Sequence, residues 1–228
     1  QWLIPADDFI RTPSPIHWLV KKWVQADALM MVHGPSGSGK TFLVLDWAYT
    51  LAAGCANWNG FKTRPANVVI LAGEGHHGLR ARLTAQKQTR GDVALNLWVS
   101  RSGLDLNTAE GLRQTISAMR LLPVKPDLII VDTVHRFMHG DENSAQDVKT
   151  MLDSCAVLMH EFSASTLLVH HTGNSDEAQH RARGSSAWRG ALDIEVSVVP
   201  KDDGLIEIVQ RKNKDAELAA PMNMELQQ

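Results

Sequence analysis

The stretch His33-Gly34-Pro35-Ser36-Gly37-Ser38-Gly39-Lys40-Thr41 constrains this chain more than any other. It fits Gly-x-x-x-x-Gly-Lys-[Ser/Thr], the pattern of a loop that binds the phosphates of a nucleoside triphosphate. Gly34, Gly37 and Gly39 admit backbone angles closed to other residues, so successive N–H groups can turn inward around one anion. Pro35, Ser36 and Ser38 complete the loop, and the helix expected after it points its positive end at the same place. In that geometry Lys40 reaches the β- and γ-phosphates and the Thr41 hydroxyl is a magnesium ligand. The flanks agree, because Ala28 to Val32 reads as a buried strand and Phe42 to Ala53 as a helix. A Gly/Ser linker would not sit between two apolar runs.

Of the 228 residues, 44% are hydrophobic, enough for a sizeable core. The net charge of −2 gives no global basic field, so any nucleic-acid contact must come from local clusters or from assembly. Cys55 and Cys155 lie in apolar helical stretches, a reduced, cytoplasmic pattern rather than a disulfide framework. No apolar run approaches membrane-spanning length and no signal peptide is visible, so no membrane partner is expected. The sequence starts at Gln1 without a methionine, as a trimmed piece of a longer protein would.

Residues 1–26 contain Pro5, Pro13 and Pro15 and read as an extended lead-in that packs on the core, with Trp18 and Trp23 as packing residues. Strands are expected at 68–71, 95–99, 127–132 and 166–169. Helices are expected at 76–88, from Asn107 and Glu110 onward, and from Ser144 to Phe162. The stretches 194–199 and 205–209 flank Asp203-Gly204 as a hairpin. Strand–helix alternation ending in a hairpin predicts an α/β fold with a mostly parallel central sheet flanked by helices and a C-terminal antiparallel hairpin. In such sheets the ligand site lies at the carboxyl ends of the strands.

The candidate chemical residues fall at those ends. Asp132 closes the apolar run Leu128 to Val131, where a carboxylate can hold magnesium, partly through water. Glu74 stands between Gly73 and Gly75 at the end of the second strand and is a candidate to orient and deprotonate an attacking water. His170 and His171 end the fifth strand and should face opposite ways, one of them toward a γ-phosphate. A zinc site using these and His76-His77 lacks supporting Cys or carboxylate spacing. The segment 172–190 carries Arg181, Arg183 and Arg189; Arg181 and Arg183 are candidates to grip a nucleic-acid backbone. Trp188 reads as a core residue in preference to a platform for a base. Arg211-Lys212-Asn213-Lys214 follows the last strand, where a cation can reach a neighbouring subunit's nucleotide. Such a charge supplied in trans can raise turnover by about 10³–10⁵.

With these residues in hand, the chain resembles the RecA-type ATPases, and among them the RepA-type hexameric replicative helicases of plasmids and related phage ATPases. The resemblance runs through Trp18-Leu19-Val20, the loop at 34–41, Ala72-Gly73-Glu74-Gly75, Asp132-Thr133, Gly140-Asp141-Glu142-Asn143-Ser144, His170-His171-Thr172 and Arg183-Gly184-Ser185-Ser186-Ala187. It implies one RecA-like ATPase domain over 1–228, with the strand ending in His171 lying between those ending in the phosphate loop and in Asp132. It implies ATP and Mg2+ as cofactors, Glu74 as catalytic base, His171 as γ-phosphate sensor and a homo-oligomer, a hexameric ring around single-stranded DNA. In the helicase an arginine finger follows the Arg-Gly-Ser-Ser run; the matching position here is Asp193, which leaves Lys212 and Lys214 as finger candidates, with Arg189 behind. The expected function is a Mg-dependent ATP hydrolase acting as a DNA-dependent motor in phage or plasmid replication or recombination. The alternative is a non-translocating regulatory or helicase-loader-type ATPase that switches a protein partner. A small-molecule kinase would need a substrate lid, for which there is no signature.

Overall fold

Strand β3 (Leu29–Gly34) is buried along its whole length. That is the environment of a central strand with both faces covered, and it explains why its sequence is a continuous apolar run. The same holds for β6 (Val68–Ala72), and β8 (Leu128–Asp132) and β9 (Ser165–His171) are buried up to their last residues, Asp132 and His171, which are partly exposed. The computed structural model describes residues 3–11, 15–91, 95–172, 187–201 and 204–225. With β7 (Leu97–Val99), β10 (Ile194–Pro200), β11 (Leu205–Asn213) and β12 (Met222–Glu225), these strands form one eight-stranded sheet in the order β12-β11-β10-β3-β9-β8-β6-β7. All neighbours from β10 to β7 are parallel, and β11 and β12 add antiparallel strands at one edge. β9 therefore lies between β3 and β8, the order that the RecA-type resemblance implies.

Successive residues on each strand face opposite layers. Val32, Ile70, Ile130, Val169 and Val196 join one apolar core with α2 (Lys40–Ala52) and α3 (His76–Arg90). Met31, Val69, Leu71, Val131 and Leu168 join the other with α4 (Ala109–Arg120) and α6 (Ala145–Phe162). The first core is rich in tryptophan. Trp23 stands 6.4 Å from Trp47 and 6.2 Å from Trp58, and Trp47 and Trp58 meet edge-on at 5.5 Å. Among the described residues no helix is long and apolar enough to cross a membrane.

Several expectations are corrected. The lead-in is not extended throughout, since Ala6–Arg11 forms α1, and none of that helix is buried. Pro5 presets the first turn, and Asp7 and Asp8 complement the helix dipole where it starts. Packing on the core begins at the small hairpin of β1 (Trp18–Val20) and β2 (Val24–Gln25), where Leu19, Val20, Trp23 and Val24 are buried. The connector expected at 57–65 holds a second small hairpin, β4 (Asn57–Trp58) with β5 (Phe61–Lys62). The cap of α4 is Thr108, whose hydroxyl accepts from Gly111 N; Asn107 instead donates to Asp147 O. Ser144 does cap α6, accepting from Asp147 N. Short elements not anticipated include β12, the one-turn helix α5 (Val134–Phe137) and the helix at Ala187–Ala191.

Candidate functional site

Parallel register brings the strand tips together: Gly34 is paired with His171, and Ala72 with Asp132. The phosphate loop joins β3 to α2. Gly37 and Gly39 have φ of 77° and 92°, the left-handed region that turns backbone N–H groups inward. Gly34 serves differently from its expected role. A Cβ there would lie 2.1 Å from Val198 O and 2.8 Å from Ser38 Oγ, so close approach excludes a side chain. The helix begins at Gly39 with no side-chain cap, which leaves its first N–H groups for a ligand.

Lys40 is buried, and its ammonium donates to Gly34 O at 2.8 Å and to Pro35 O at 2.6 Å. Burial pulls its pKa down to about 8, against the opposing charge of Asp132. Thr41 Oγ1 donates to Asp132 Oδ2 at 3.0 Å. Burial raises the Asp132 carboxyl above its ordinary value, opposed by the Thr41 hydrogen bond, Lys40 and Arg82 and reinforced by Glu74. His171 is lowered, first by burial and then by Lys40 and His170, with Glu74 and Glu142 opposing. These influences place Lys40, Glu74, Asp132 and His171 in one electrostatic neighbourhood. His170 and His171 do face differently. His170 is buried and packs against Trp188 with ring centres 5.7 Å apart, while His171 is partly exposed beside the loop.

A nucleoside triphosphate with magnesium fits these residues. Ser38 Oγ is buried without a hydrogen-bond partner among the described residues, inside the loop. Thr41 and Asp132 already place two hard oxygen donors together, a set that suits magnesium and leaves its other positions to phosphate and water. Among the described residues no group of three or more His, Cys, Asp or Glu side chains is arranged to hold a metal. His76 Nε2 is engaged with Ser100 O at 2.9 Å.

The finger candidates are all held within their own chain. Lys212 Nζ donates to Arg189 O at 2.7 Å and to Leu192 O, closing the end of the short helix α7 (Ala187–Ala191). Lys214 lies 3.4 Å from Asp193, and Arg189 Nε lies 3.4 Å from Glu195. Asp193 ties β3 in place, with Oδ2 accepting from Leu29 N at 2.9 Å. Trp188 is buried, as a core residue would be. Arg181 and Arg183 lie outside the described residues.

Three residues near the site escaped sequence reasoning. Arg136 on α5 pairs with Glu74, with Nε 2.7 Å from Oε2. Arg82 on α3 stacks 4.3 Å over the Phe42 ring. Glu195, buried on β10, stands 3.2 Å from His33 Nε2, immediately before the loop. A lone Glu inside Ile194-Glu195-Val196 was the available signal for the last; nothing local marked the other two. A cavity of about 430 Å³ lined by Leu29, Leu152, Met159 and His160 opens at the other end of β3, away from the strand tips.

The AAA domain family matches residues 3–177 of this chain. A crystal structure of a KaiC-like protein from the hyperthermophilic archaeon Pyrococcus horikoshii superposes with a TM-score of 0.62 at 12% identity, covering 93% of this chain and 95% of that one. At that identity the likeness speaks for the fold. No curated sequence matches the chain.

Proposed function

The chain belongs to the AAA domain family, and from that premise we propose that it is a magnesium-dependent ATP hydrolase. We further propose that it works as a DNA-dependent motor of the RepA-like kind in phage or plasmid replication or recombination. The observation that carries the hydrolase reading is the meeting of Lys40, the Thr41–Asp132 pair, Glu74 and His171 at adjacent strand tips. Phosphoryl transfer asks a protein chiefly for positioning and charge neutralisation. The loop N–H groups and Lys40 hold the phosphates, and Lys40 leaves the carbonyls of Gly34 and Pro35 to do so. Thr41 and Asp132 would hold magnesium, which when bound would supply charge neutralisation at the phosphates. Glu74 takes the proton of the attacking water, and His171 senses the γ-phosphate.

The motor reading rests on the resemblance at Gly140 to Ser144 and Arg183 to Ala187, with assembly into a ring that places a cation of one subunit at its neighbour's nucleotide. The decisive experiment measures ATP turnover with and without single-stranded DNA, in wild type, Lys40→Ala and Glu74→Gln. Lys40→Ala should bind ATP poorly. Glu74→Gln should bind normally and turn over more slowly by about 10²–10⁴-fold, the contribution of a positioned base. DNA should stimulate wild type, and salt should abolish the stimulation. Equal rates in wild type and Glu74→Gln would remove the base assignment. The burial of Trp188 favours a second reading, a regulatory ATPase that switches a protein partner, because a buried ring cannot stack on a base. Nucleotide-dependent assembly without DNA stimulation at low salt would select it.

A further inference from the structure

We propose that Arg136 is the positioning residue for Glu74, an inference that rests on reading Glu74 as the base of ATP hydrolysis. Arg136 Nε lies 2.7 Å from Glu74 Oε2, and Nη2 is ion-paired with the same oxygen. Two donors of a rigid planar fork thus hold one carboxylate oxygen. Among the described residues Oε1 receives no hydrogen bond, so it remains the oxygen available to a water.

The fold builds this pairing. Arg136 sits on α5, directly after β8, and the buried Val134 and Phe137 anchor that turn. Its backbone N–H donates to Thr133 O at 3.0 Å. Glycine at position 73 lets α5 approach the tip of β6, since a Cβ there would lie 2.2 Å from Arg136 Cβ and 3.1 Å from Phe137 Cε2. Gly73 N in turn donates to Asp132 O at 3.0 Å. One peptide segment, 132–136, therefore carries both the metal-side carboxylate and the cation that orients the base.

Stability does not account for the pair. Its side chains are 52% and 47% exposed, and solvated ion pairs of this kind contribute little to folding. Orientation does account for it. A base works only near attack geometry, and a displacement of about 1 Å can cost about a hundredfold in rate.

The test uses the full chain as Arg136→Ala, alone and combined with Glu74→Gln. The single variant should keep its thermal midpoint within a few degrees and its KM for ATP within about twofold, while kcat falls by about ten- to a hundredfold. Added guanidinium at millimolar, non-denaturing concentration should restore part of that kcat and leave Glu74→Gln unaffected. In the Glu74→Gln background, Arg136→Ala should change kcat by less than about twofold, because a residue acting only through Glu74 has nothing left to position. An unchanged or faster Arg136→Ala would overturn the inference, as would an undiminished loss in the Glu74→Gln background. Wild-type turnover in Glu74→Gln alone would overturn the parent reading, and the inference with it; slow Glu74→Gln beside normal Arg136→Ala would overturn the inference alone.

Discussion

Glu195 is buried on β10 with 3% exposure, beside His33 and within reach of Arg189. Burial pushes its carboxyl up, yet the contact with His33 and the charges of His33, Arg189 and Lys212 outweigh it and hold the group below the ordinary 4.5. A carboxyl depressed in the folded state adds stability above its unfolded pKa and loses it as pH falls through the folded value. Glu195→Gln should therefore melt lower than wild type at pH 7, by about 1–3 kcal/mol in unfolding free energy. The two midpoints should converge as pH drops below about 4.5. A gap that stays constant down to pH 3 would contradict the assignment. This residue also marks the limit of reading side chains one at a time. Glu74 and Asp132 were legible because each ends an apolar run, the local mark of a strand tip. Glu195, Arg136 and Arg82 act through partners far away in sequence, and no local pattern records those partners.

Helix α2 sets where the phosphate loop opens, and its outer side is fastened by one carboxylate. Asp46 accepts from Trp58 Nε1 at 2.5 Å, from Gln86 at 3.4 Å and pairs with Arg90, so it joins α2 to the β4–β5 hairpin and to α3. Trp58→Phe should keep most of the aromatic contact and remove one donor from a largely buried acceptor, lowering stability by about 1–3 kcal/mol in urea unfolding. No change would mean that solvent replaces the indole N–H at no cost. Elements with both faces buried, such as β3, β6, β8 and β9, were visible because burial forces a short, continuous apolar run. β12 was not visible. Met222-Asn223-Met224-Glu225 is a half-exposed edge with no β-branched residue, and only its pairing with β11 makes it a strand. The lead-in departs from extension for a related reason: three prolines favour an extended chain, while Pro5 with Asp7 and Asp8 just after it starts a helix.

At the scale of the whole molecule, a net charge of −2 supplies little long-range attraction for DNA. Any DNA response must then come from a few local cations presented by an assembly. Solution mass should rise toward about six times 25.1 kDa with a non-hydrolysable ATP analogue. DNA stimulation should weaken steeply with salt, by about 0.7 log units per log unit of salt for each single-strand phosphate contacted. A monomer at every nucleotide state would refute the ring. By itself the sequence determined the loop at 34–41, the α/β alternation and the placing of Glu74, Asp132 and His171 at strand ends, because these follow from local geometry and burial. The tertiary structure decided the order of the outer strands, the pairing of Glu74 with Arg136, and the engagement of Lys212, Lys214 and Arg189 within their own chain. Those depend on which distant segments are packed side by side, which the residues along a single segment do not encode.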